Sequence, residues 1–267
     1  MPASLDSIVG AVRERVSLQR RAADSRALEQ AARAHAPRGF RARLQAASRD
    51  SIAIIAELKK ASPSKGVIRR EFHAAALARE LEQAGATALS VLTDEEFFHG
   101  SLDNLRQASS STLLPCLRKD FIVDEFQILE ARTHCADAVL LIVAALSQKE
   151  LTALADAARK YGLDVLCEVH SESELERALD TGVDMIGVNS RDLRTFEVDL
   201  GTALRLAAKL PPGCVRVAES GIHSGADVAR LRAAGYDAFL IGESLMRAQR
   251  PGEALAKLRE ESAAVVP

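Results

Sequence analysis

The chain has 267 residues, of which 48% are hydrophobic, and a formal net charge of −2 at pH 7. This length suits one large domain, since α/β barrels often occupy about 250 residues. No basic stripe is present, so a nucleic-acid partner is not expected. No apolar run approaches the ~20 residues of a membrane span, and no signal-peptide pattern opens the chain. Four cysteines without C-x-x-C spacing fit reduced thiols. We therefore expect a cytoplasmic protein without a membrane partner.

Residues 1–50 are rich in arginine and alanine and predict two helices, around Leu5–Leu18 and Arg20–Arg33. The apolar residues of the first helix repeat at the spacing of one helix face, namely Leu5, Ile8, Val9, Val12 and Val16. Pro37-Arg38-Gly39-Phe40 interrupts the helical pattern. These features predict a helical extension over residues 1–50, packed on a catalytic domain over residues 51–267.

Eight short apolar runs follow the extension. They are Ile52–Leu58, Ala86–Leu92, Leu113–Leu117, Ala138–Val143, Asp164–Cys167, Met185–Val188, Val215–Ala218 and Ala238–Ile241. Their Val, Ile and Leu content is typical of parallel strands buried on both faces. Amphipathic patterns separate them, so the sequence predicts the α/β class and a single (β/α)8 TIM barrel. The alternative is an open doubly wound sheet, which usually carries a G-x-G-x-x-G turn after its first strand; the sequence has none there.

The ends of several predicted helices can be read from local patterns. Ser147-x-x-Glu150 and Ser171-x-x-Glu174 are capping boxes, and Ser224-x-x-Asp227 resembles one. A short repeat marks four joins between a helix and the next strand: Ala84-Gly-Ala-Thr-Ala88, Cys135-Ala-Asp-Ala138, Gly182-Val-Asp-Met185 and Gly235-Tyr-Asp-Ala238. Glycine at such a join predicts a left-handed residue that ends the helix. The repeat indicates one βα unit used several times.

The first predicted strand carries two opposite charges on one face. Strand side chains alternate, so Ile55, Glu57 and Lys59 point the same way. Burying a charge is costly unless it is paired, and such groups are frequent at functional sites. The loop Ser62-Pro63-Ser64-Lys65-Gly66 follows directly. This combination predicts the rim of an active site.

Polar residues also follow most of the other predicted strands, where barrel enzymes carry their chemistry. The candidates are residues Thr93–Ser101, Arg118–Phe121, Glu168, Asn189–Asp192, Glu219–Gly221 and Gly242–Ser244. Two lysines and three carboxylates at one barrel mouth would shift each other's pKa values and form an acid/base set. A single charge at a strand end is more often a salt-bridge partner or a solvated rim residue than a catalytic group. Five strand ends populated together favour catalysis.

The last two strand ends have the features of an anion site. Ser220-Gly221-Ile222-His223-Ser224 leads into a helix, and Ile241-Gly242-Glu243-Ser244 into a short helical turn. Free N–H groups at helix starts bind phosphate, with Glu243 contributing its N–H and not its side chain. The alternative is two ordinary strand-to-helix turns. The six histidines lack metal-ligand spacing, so no metal site is expected, and we interpret His170 and His223 as rim residues.

Five motifs occur in order along these strand ends. They are Glu57-Leu-Lys-Lys-Ala-Ser-Pro-Ser64, Leu92-Thr-Asp-Glu-x-Phe-Phe-x-Gly-Ser101, Arg118-Lys-Asp-Phe-Ile-Val-Asp124, Val188-Asn-Ser-Arg-Asp-Leu193 and Ala218-Glu-Ser-Gly-Ile222. In these motifs the chain resembles the indole-3-glycerol-phosphate synthase family of tryptophan synthesis. The resemblance extends from the N-terminal helices to about Arg247, and the first and fourth motifs are the most specific.

The resemblance implies the phosphorylated substrate 1-(2-carboxyphenylamino)-1-deoxyribulose 5-phosphate. It implies closure of a pyrrole ring with loss of CO₂ and water, catalysed without a cofactor. It leaves open the oligomeric state and any association with other enzymes of tryptophan synthesis.

The same resemblance implies roles for individual residues. Lys119 would be the acid at ring closure, and Glu168 the base, or acid and base, during dehydration. Lys59 would hold the anthranilate carboxylate and is a candidate for the second proton donor. Glu57 would hold Lys59 and Lys119 in place and contact substrate hydroxyls. Asn189 and Glu219 would orient the ribulose part, Arg191 would shape the anthranilate end, and Phe121 would line the pocket of the anilino ring. The phosphate would be bound by Ser62, Ser220, Gly221, Gly242 and the N–H of Glu243. His99 and Glu243 stand at positions that vary in the family.

Two other functions stay open at this point. Phosphoribosylanthranilate isomerase is a related phosphate-binding barrel, but that family lacks the E-x-K-x-x-S-P motif, so Glu57-Leu58-Lys59 argues against it. A non-catalytic binding protein on a barrel scaffold would be marked by loss of a catalytic residue. Lys59, Lys119 and Glu168 are all present, which argues against this reading as well.

Overall fold

The computed structural model describes residues 4–192 and 195–265. Leu193, the last residue of the fourth motif, lies outside the described residues. Residues 1–3 of the predicted extension and residues 266–267 of the predicted catalytic domain also lie outside them. Across the described ranges, no helix is both long and apolar enough to cross a membrane.

Eight parallel strands form a closed barrel in which each strand pairs with its neighbours in chain order. They are β1 (Ala53–Leu58), β2 (Ala88–Leu92), β3 (Cys116–Lys119), β4 (Ala138–Ile142), β5 (Asp164–Val169), β6 (Met185–Asn189), β7 (Val215–Glu219) and β8 (Ala238–Ile241). The barrel closes where β1 pairs with β8, with Ile54 opposite Phe239. The predicted TIM barrel is therefore confirmed, and the alternative open sheet is wrong.

Helices surround the barrel and precede it. They are α1 (Leu5–Ala22), α2 (Ser25–Arg33), α3 (Phe40–Asp50), α4 (Ala74–Gln83), α5 (Glu95–Phe98), α6 (Leu102–Ser110), α7 (Glu125–Thr133), α8 (Gln148–Lys160), α9 (Glu172–Leu179), α10 (Leu200–Ala207), α11 (Gly225–Ala233), α12 (Glu243–Arg247) and α13 (Pro251–Val265). A short hairpin, Ala61–Ser62 with Gly66–Val67, follows β1. The predicted loop after β1 is thus partly ordered by strand pairing.

The first helix packs on the barrel through the face that the sequence predicts. Ile8, Val12 and Val16 are buried in the hydrophobic core, and Leu5 and Val9 are partly buried against it. Burial of this stripe stabilises the helix more than its intrinsic propensity does. The prediction of an apolar helix face is confirmed.

The sequence patterns miss the third N-terminal helix. Phe40 and Leu44, one turn apart on α3, are fully buried, whereas most of its other residues are polar or small. Two apolar residues make a weak periodic signal. Gly39 precedes the helix with φ +70°, a left-handed conformation that suits glycine. The predicted interruption at Pro37–Phe40 is therefore the turn that separates α2 from α3.

The repeated joins between helices and strands adopt the predicted left-handed conformation. Gly85, Gly182 and Gly235 have φ values of +89°, +70° and +103°. Cys135 occupies the equivalent position with φ +63°, although residues with a Cβ adopt this region infrequently. The conformation at this join is therefore set by the βα unit and not by the presence of glycine.

Two of the three predicted capping boxes are complete. Ser147 with Glu150 and Ser224 with Asp227 each exchange both hydrogen bonds. In the third, the Ser171 hydroxyl accepts from the N–H of Glu174. The Glu174 carboxylate, however, accepts from the N–H of His170 and not from that of Ser171. The reciprocal half of this predicted box is wrong.

A buried ion pair joins the N-terminal segment to the barrel. The Arg38 guanidinium donates to the buried Asp137 carboxylate, with Nη2 at 2.5 Å from Oδ2. Asp137 also accepts from the N–H of Cys116 at 2.6 Å and lies 3.1 Å from Nε2 of His35. Burial alone would raise the pKa of Asp137, but these hydrogen bonds hold it below its usual value. The guanidinium and the backbone N–H of Arg38, the His35 ring and the N–H of Cys116 thus stabilise one buried charge.

Arg38→Ala is expected to lower the free energy of unfolding by about 3 kcal/mol, because it removes a charged partner of a buried carboxylate. His35 and the N–H of Cys116 remain, which keeps the loss at the low end of the range for such pairs. Urea unfolding measures the change. Arg43→Ala, at an exposed position of α3, is the matched control. Equal midpoints for the two variants would contradict this account.

Candidate active site

Glu57 on β1 and Lys59, the first residue after it, form an ion pair at the mouth of the barrel. Nζ of Lys59 lies 2.6 Å from Oε1 of Glu57. Glu57 is buried, and the side chain of Lys59 is 16% exposed. The sequence places both charges on one strand face, but the strand ends at Leu58, so Lys59 pairs with Glu57 from the residue that follows the strand.

A second cation, Lys119 at the end of β3, lies between two buried carboxylates. Its Nζ is 3.0 Å from Oε2 of Glu168 at the end of β5 and 3.5 Å from Oε2 of Glu219 at the end of β7. Glu168 and Glu219 are each 1% exposed. The barrel therefore brings one lysine and two carboxylates from three distant parts of the sequence into direct contact.

The three groups have shifted pKa values that separate their protonation states. Burial lowers the pKa of Lys119, but the charges of Glu168, Glu219 and Glu57 outweigh burial and raise it above its usual value. Burial raises the pKa of Glu168, but Lys119 and His170 outweigh it and bring the pKa to about 2. Burial raises the pKa of Glu219 to about 8, with Lys119 opposing the rise and Glu168 adding to it. The neighbours of Glu168 thus favour its ionised form, whereas burial and the Glu168 charge favour the protonated form of Glu219.

The expected contact between Glu57 and Lys119 is not formed. Glu57, Lys119, Glu168 and Glu219 come from β1, β3, β5 and β7, and alternate strands supply the layers of side chains inside a TIM barrel. Within this layer Lys119 contacts the carboxylates of β5 and β7, while Glu57 binds Lys59. Glu57 therefore acts on Lys119 only as a more distant charge.

The ends of β6 and β8 are tied together at the rim. Oδ1 of Asn189 accepts a hydrogen bond from the N–H of Arg191 at 3.0 Å. Nη2 of Arg191 lies 3.5 Å from the carboxylate of Glu243, which also pairs with Nε of Arg247 at 3.0 Å. Sequence reasoning assigned Glu243 only a backbone role. Its side chain has a second one, because it links two strand ends.

The predicted phosphate side consists of small residues in tight backbone turns. Ser220 and Gly221, directly after β7, have φ values of +66° and +76°. Such a conformation in a serine is uncommon and marks a constrained turn. A Cβ on Gly242 would lie 2.3 Å from Oε1 of Glu57, so this position requires glycine. The hydroxyl of Ser62 is buried without a hydrogen-bond partner, which leaves it available to a ligand.

One cavity at the carboxyl end of the barrel is lined by all thirteen residues to which the family resemblance assigns a role. The residues are Glu57, Lys59, Ser62, Lys119, Phe121, Glu168, Asn189, Arg191, Glu219, Ser220, Gly221, Gly242 and Glu243. His223 also lines this cavity and is exposed, as predicted for a rim residue. His170 is largely buried beside Glu168, so its interpretation as a rim residue is wrong.

The cavity also has an apolar wall that the sequence reasoning did not assign to the site. Leu5 and Ile8 of α1 and Phe98 of α5 belong to it, and the rings of Phe98 and Phe121 lie 6.2 Å apart between centroids. Phe98 belongs to the second motif, and this was the sequence signal that could have assigned it to the site. For α1 the apolar face predicted burial, but its position over the barrel mouth depends on long-range packing.

Among residues 4–192 and 195–265, no group of three or more His, Cys, Asp or Glu side chains could hold a metal ion. The chemical groups of the site are thus ammonium, guanidinium, carboxylate, amide and hydroxyl groups with an aromatic wall. They can transfer protons, bind anions and cover an apolar ring.

A family model named indole-3-glycerol phosphate synthase matches residues 5–258. The chain belongs to the indole-3-glycerol phosphate synthase family. The indole-3-glycerol phosphate synthase of Koribacter versatilis is 56% identical over 258 residues, covering 97% of this chain and 99% of that protein. That of Burkholderia ambifaria is 48% identical over 255 residues, covering 95% and 98%.

Solved structures support the fold independently of sequence similarity. A tryptophan synthase alpha chain from Legionella pneumophila aligns with a TM-score of 0.62 at 14% identity, covering 86% of this chain and 98% of that one. A thiamine phosphate pyrophosphorylase from Pyrococcus furiosus aligns with a TM-score of 0.60 at 18% identity, covering 82% and 99%. At such identities the likeness concerns the barrel alone.

In this member of the indole-3-glycerol phosphate synthase family, Gly187→Ala on β6 is expected to lower kcat about 10²-fold. A Cβ at this position would lie 2.0 Å from Oε1 of Glu219, so this buried carboxylate would have to move relative to Lys119. A displacement of about 1 Å in a catalytic group can reduce the rate by this factor. Steady-state kinetics measures the loss. Gly10→Ala on α1, where a Cβ meets nothing within 4 Å, is the control, and equal kcat values would contradict the account.

Proposed function

We propose that this chain converts 1-(2-carboxyphenylamino)-1-deoxyribulose 5-phosphate to indole-3-glycerol phosphate in tryptophan biosynthesis, as a carboxy-lyase. The observation that carries the proposal is a buried, charged Lys119 between Glu168 and Glu219, inside a cavity with an apolar wall and a turn-rich anion side. Membership of the family supports the same reaction.

In the proposed ring closure, Lys119 donates a proton to the ribulose carbonyl oxygen. Protonation makes the carbonyl carbon electrophilic, so the aromatic carbon that bears the carboxylate can attack it. The raised pKa of Lys119 supports this role, because the ammonium stays charged across the neutral range. Phe121 and Phe98 would contact the anilino ring and exclude water from the reacting carbons.

Loss of CO₂ then restores aromaticity to the ring. In our proposal Lys59 holds the carboxylate of the anthranilate part before it leaves, and Arg191 shapes the same end of the cavity. Glu57 keeps Lys59 in position through the 2.6 Å ion pair and contacts substrate hydroxyls. Each of these contacts fixes the substrate in a reactive geometry and so reduces the entropic part of the barrier.

In the proposed dehydration, Glu168 accepts a proton while an acid protonates the departing hydroxyl. The lowered pKa of Glu168 supports a base that is ionised before the step begins. Lys59 is our candidate for the second acid. Asn189 and Glu219 would orient the ribulose part during both steps.

The substrate phosphate, in this proposal, binds at the ends of β7 and β8. Its contacts would be the hydroxyl of Ser62, residues Ser220 and Gly221, and the N–H groups at Gly242 and Glu243. The proposed steps are proton transfers and loss of CO₂, for which acid and base side chains suffice. We therefore propose neither a cofactor nor a metal.

We also infer a cytoplasmic location and no nucleic-acid or membrane partner. The four cysteines are free thiols, which supports a reducing compartment. The formal net charge of −2 gives no general attraction to polyanions.

A single assay tests the proposed reaction. The purified chain is mixed with the carboxyphenylamino-deoxyribulose phosphate alone, and the absorbance and fluorescence of the indole product are followed. We expect product without any added cofactor. Binding of the substrate without turnover would favour a non-catalytic barrel protein. Isomerisation of phosphoribosylanthranilate without formation of indole would favour the isomerase.

A further inference from the structure

His170 has a connection to the site that the proposed reaction does not use. It is the first residue after β5, two positions beyond Glu168, and its side chain is 14% exposed. It does not belong to the cavity wall. A largely buried imidazole beside a catalytic carboxylate needs a physical role, because burial of a polar ring is costly unless it is paired.

One side of the His170 ring is held by α9. The carboxylate of Glu174 accepts the N–H of His170 at 2.8 Å, and Nδ1 of the ring lies 3.1 Å from the same oxygen, Oε2. These two contacts use the carboxylate that the sequence predicts for the capping box with Ser171. Because Nδ1 faces an acceptor, it carries a proton, and the orientation of the ring is fixed.

The other side of the ring faces the proposed base. Nε2 of His170 is 3.5 Å from Oε1 of Glu168 and has no hydrogen-bond partner. The other oxygen of Glu168 accepts from Lys119 at 3.0 Å. Each oxygen of this carboxylate therefore faces its own cationic or proton-donating group, one from β3 and one from the residue after β5.

The charges around the ring favour its protonated form. Burial lowers the pKa of His170, but the hydrogen bond to Glu174 and the charges of Glu168, Glu174 and Glu219 outweigh it and raise the pKa. These carboxylates come from β5, α9 and β7, so three elements contribute to the shift. An imidazolium donates from both nitrogens, to Glu174 on one side and toward Glu168 on the other.

We propose that His170 is a positioning residue that, held by Glu174, orients the Glu168 carboxylate for proton transfer during dehydration. The proposal rests on the proposed function. Without the donor at Nε2, the carboxylate would keep Lys119 at Oε2 and its side-chain contact with Asn189 but lose the group that faces Oε1. The step that uses Glu168 as a base would slow, whereas substrate binding and ring closure would be spared.

Two substitutions distinguish the roles of the two ring nitrogens of His170. His170→Gln carries an amide nitrogen near the position of Nε2, and His170→Asn carries one near the position of Nδ1. We expect His170→Asn to lower kcat about tenfold, within the range of coupling energies between residues in direct contact. KM should not change, and an intermediate one water heavier than the product should accumulate in single turnovers. His170→Gln should retain most of the activity.

Two outcomes would overturn the proposal. One is wild-type kcat in both variants. The other is an equal loss in both variants with a raised KM and no intermediate, as expected for a purely structural role.

A second measurement does not depend on turnover. The ring signals of the six histidines are titrated by proton–carbon NMR in the wild-type chain, with His170 assigned from His170→Gln. Glu174→Gln should lower the pKa of His170, and Glu176→Gln, at an exposed position of the same helix, should not. An unchanged pKa in Glu174→Gln would contradict the coupling even if the His170 variants fail to fold. If the wild-type chain makes no product, the proposed function fails while this titration still reports on the His170 contacts.

Discussion

Lys119→Ala is expected to lower kcat by about 10²–10⁴, the usual loss for a positioned acid. The substitution removes the proposed proton donor for the ribulose carbonyl and also the cation between Glu168 and Glu219. Without that cation the burial of both carboxylates is less well compensated, so their pKa values should rise. The variant therefore loses the acid and weakens the base. Loss of indole formation at saturating substrate is the measurement.

The control for this prediction is another lysine in an ion pair. Lys209 pairs with Glu172 at the surface, and Lys209→Ala should leave kcat unchanged. Lys119→Met should be as inactive as Lys119→Ala, because it keeps the volume of the side chain without the ammonium. Near wild-type turnover in either Lys119 variant would exclude this residue as the acid.

Much of the fold can be predicted because each βα unit has local signals. Strands buried on both faces read as short apolar runs, and helix ends are marked by Ser147 and Ser224 boxes or by left-handed joins such as Gly235. The third helix carries only Phe40 and Leu44 as buried anchors, so its signal is weak. Local patterns therefore predict the repeating unit well and the irregular extension less well.

The sequence predicts which residues line the site, but not which of them contact each other. Polar residues at strand ends converge in any closed parallel barrel, so Lys119, Glu168 and Glu219 were expected near one another. Which carboxylate contacts Lys119 depends on the tilt and stagger of the strands, and these are not encoded in any short segment. The expected contact with Glu57 fails for this reason. The position of His170 beside Glu168 is also invisible in sequence, since a residue two positions along can turn toward the loop or the core.

The two buried carboxylates of the site, Glu168 and Glu219, differ in the charged groups around them. The side chain of Glu219 lies beside Gly187, its Oε1 has no hydrogen-bond partner, and its Oε2 is 3.5 Å from Lys119. Glu168 has Lys119 on one oxygen and His170 near the other. Burial thus acts alike on both groups, and the difference in neighbours lowers the pKa of Glu168 while that of Glu219 is raised. The same logic identifies acid and base in other paired-carboxylate sites.

Glu168→Gln is expected to lower kcat by about 10²–10⁴ while KM changes little. The amide keeps the size of the side chain and can still accept from Lys119, so the cavity and the proposed phosphate contacts are preserved. It cannot accept the proton released in dehydration. In the proposed mechanism ring closure and loss of CO₂ depend on Lys119 and continue, so CO₂ should be released in a burst before any indole appears.

The reaction step at which Glu168→Gln stops can be measured directly. In a single turnover, quenched samples of Glu168→Gln should contain a species lighter than the substrate by one CO₂ and heavier than the product by one water. Glu260→Gln, at an exposed position of α13, should show no such species. Normal kcat without the intermediate would remove Glu168 from the mechanism. If both the CO₂ burst and the product are lost, Glu168 would instead act in ring closure. Because the intermediate differs from substrate and product by whole molecules, its mass distinguishes these outcomes without an assumption about which lysine donates each proton.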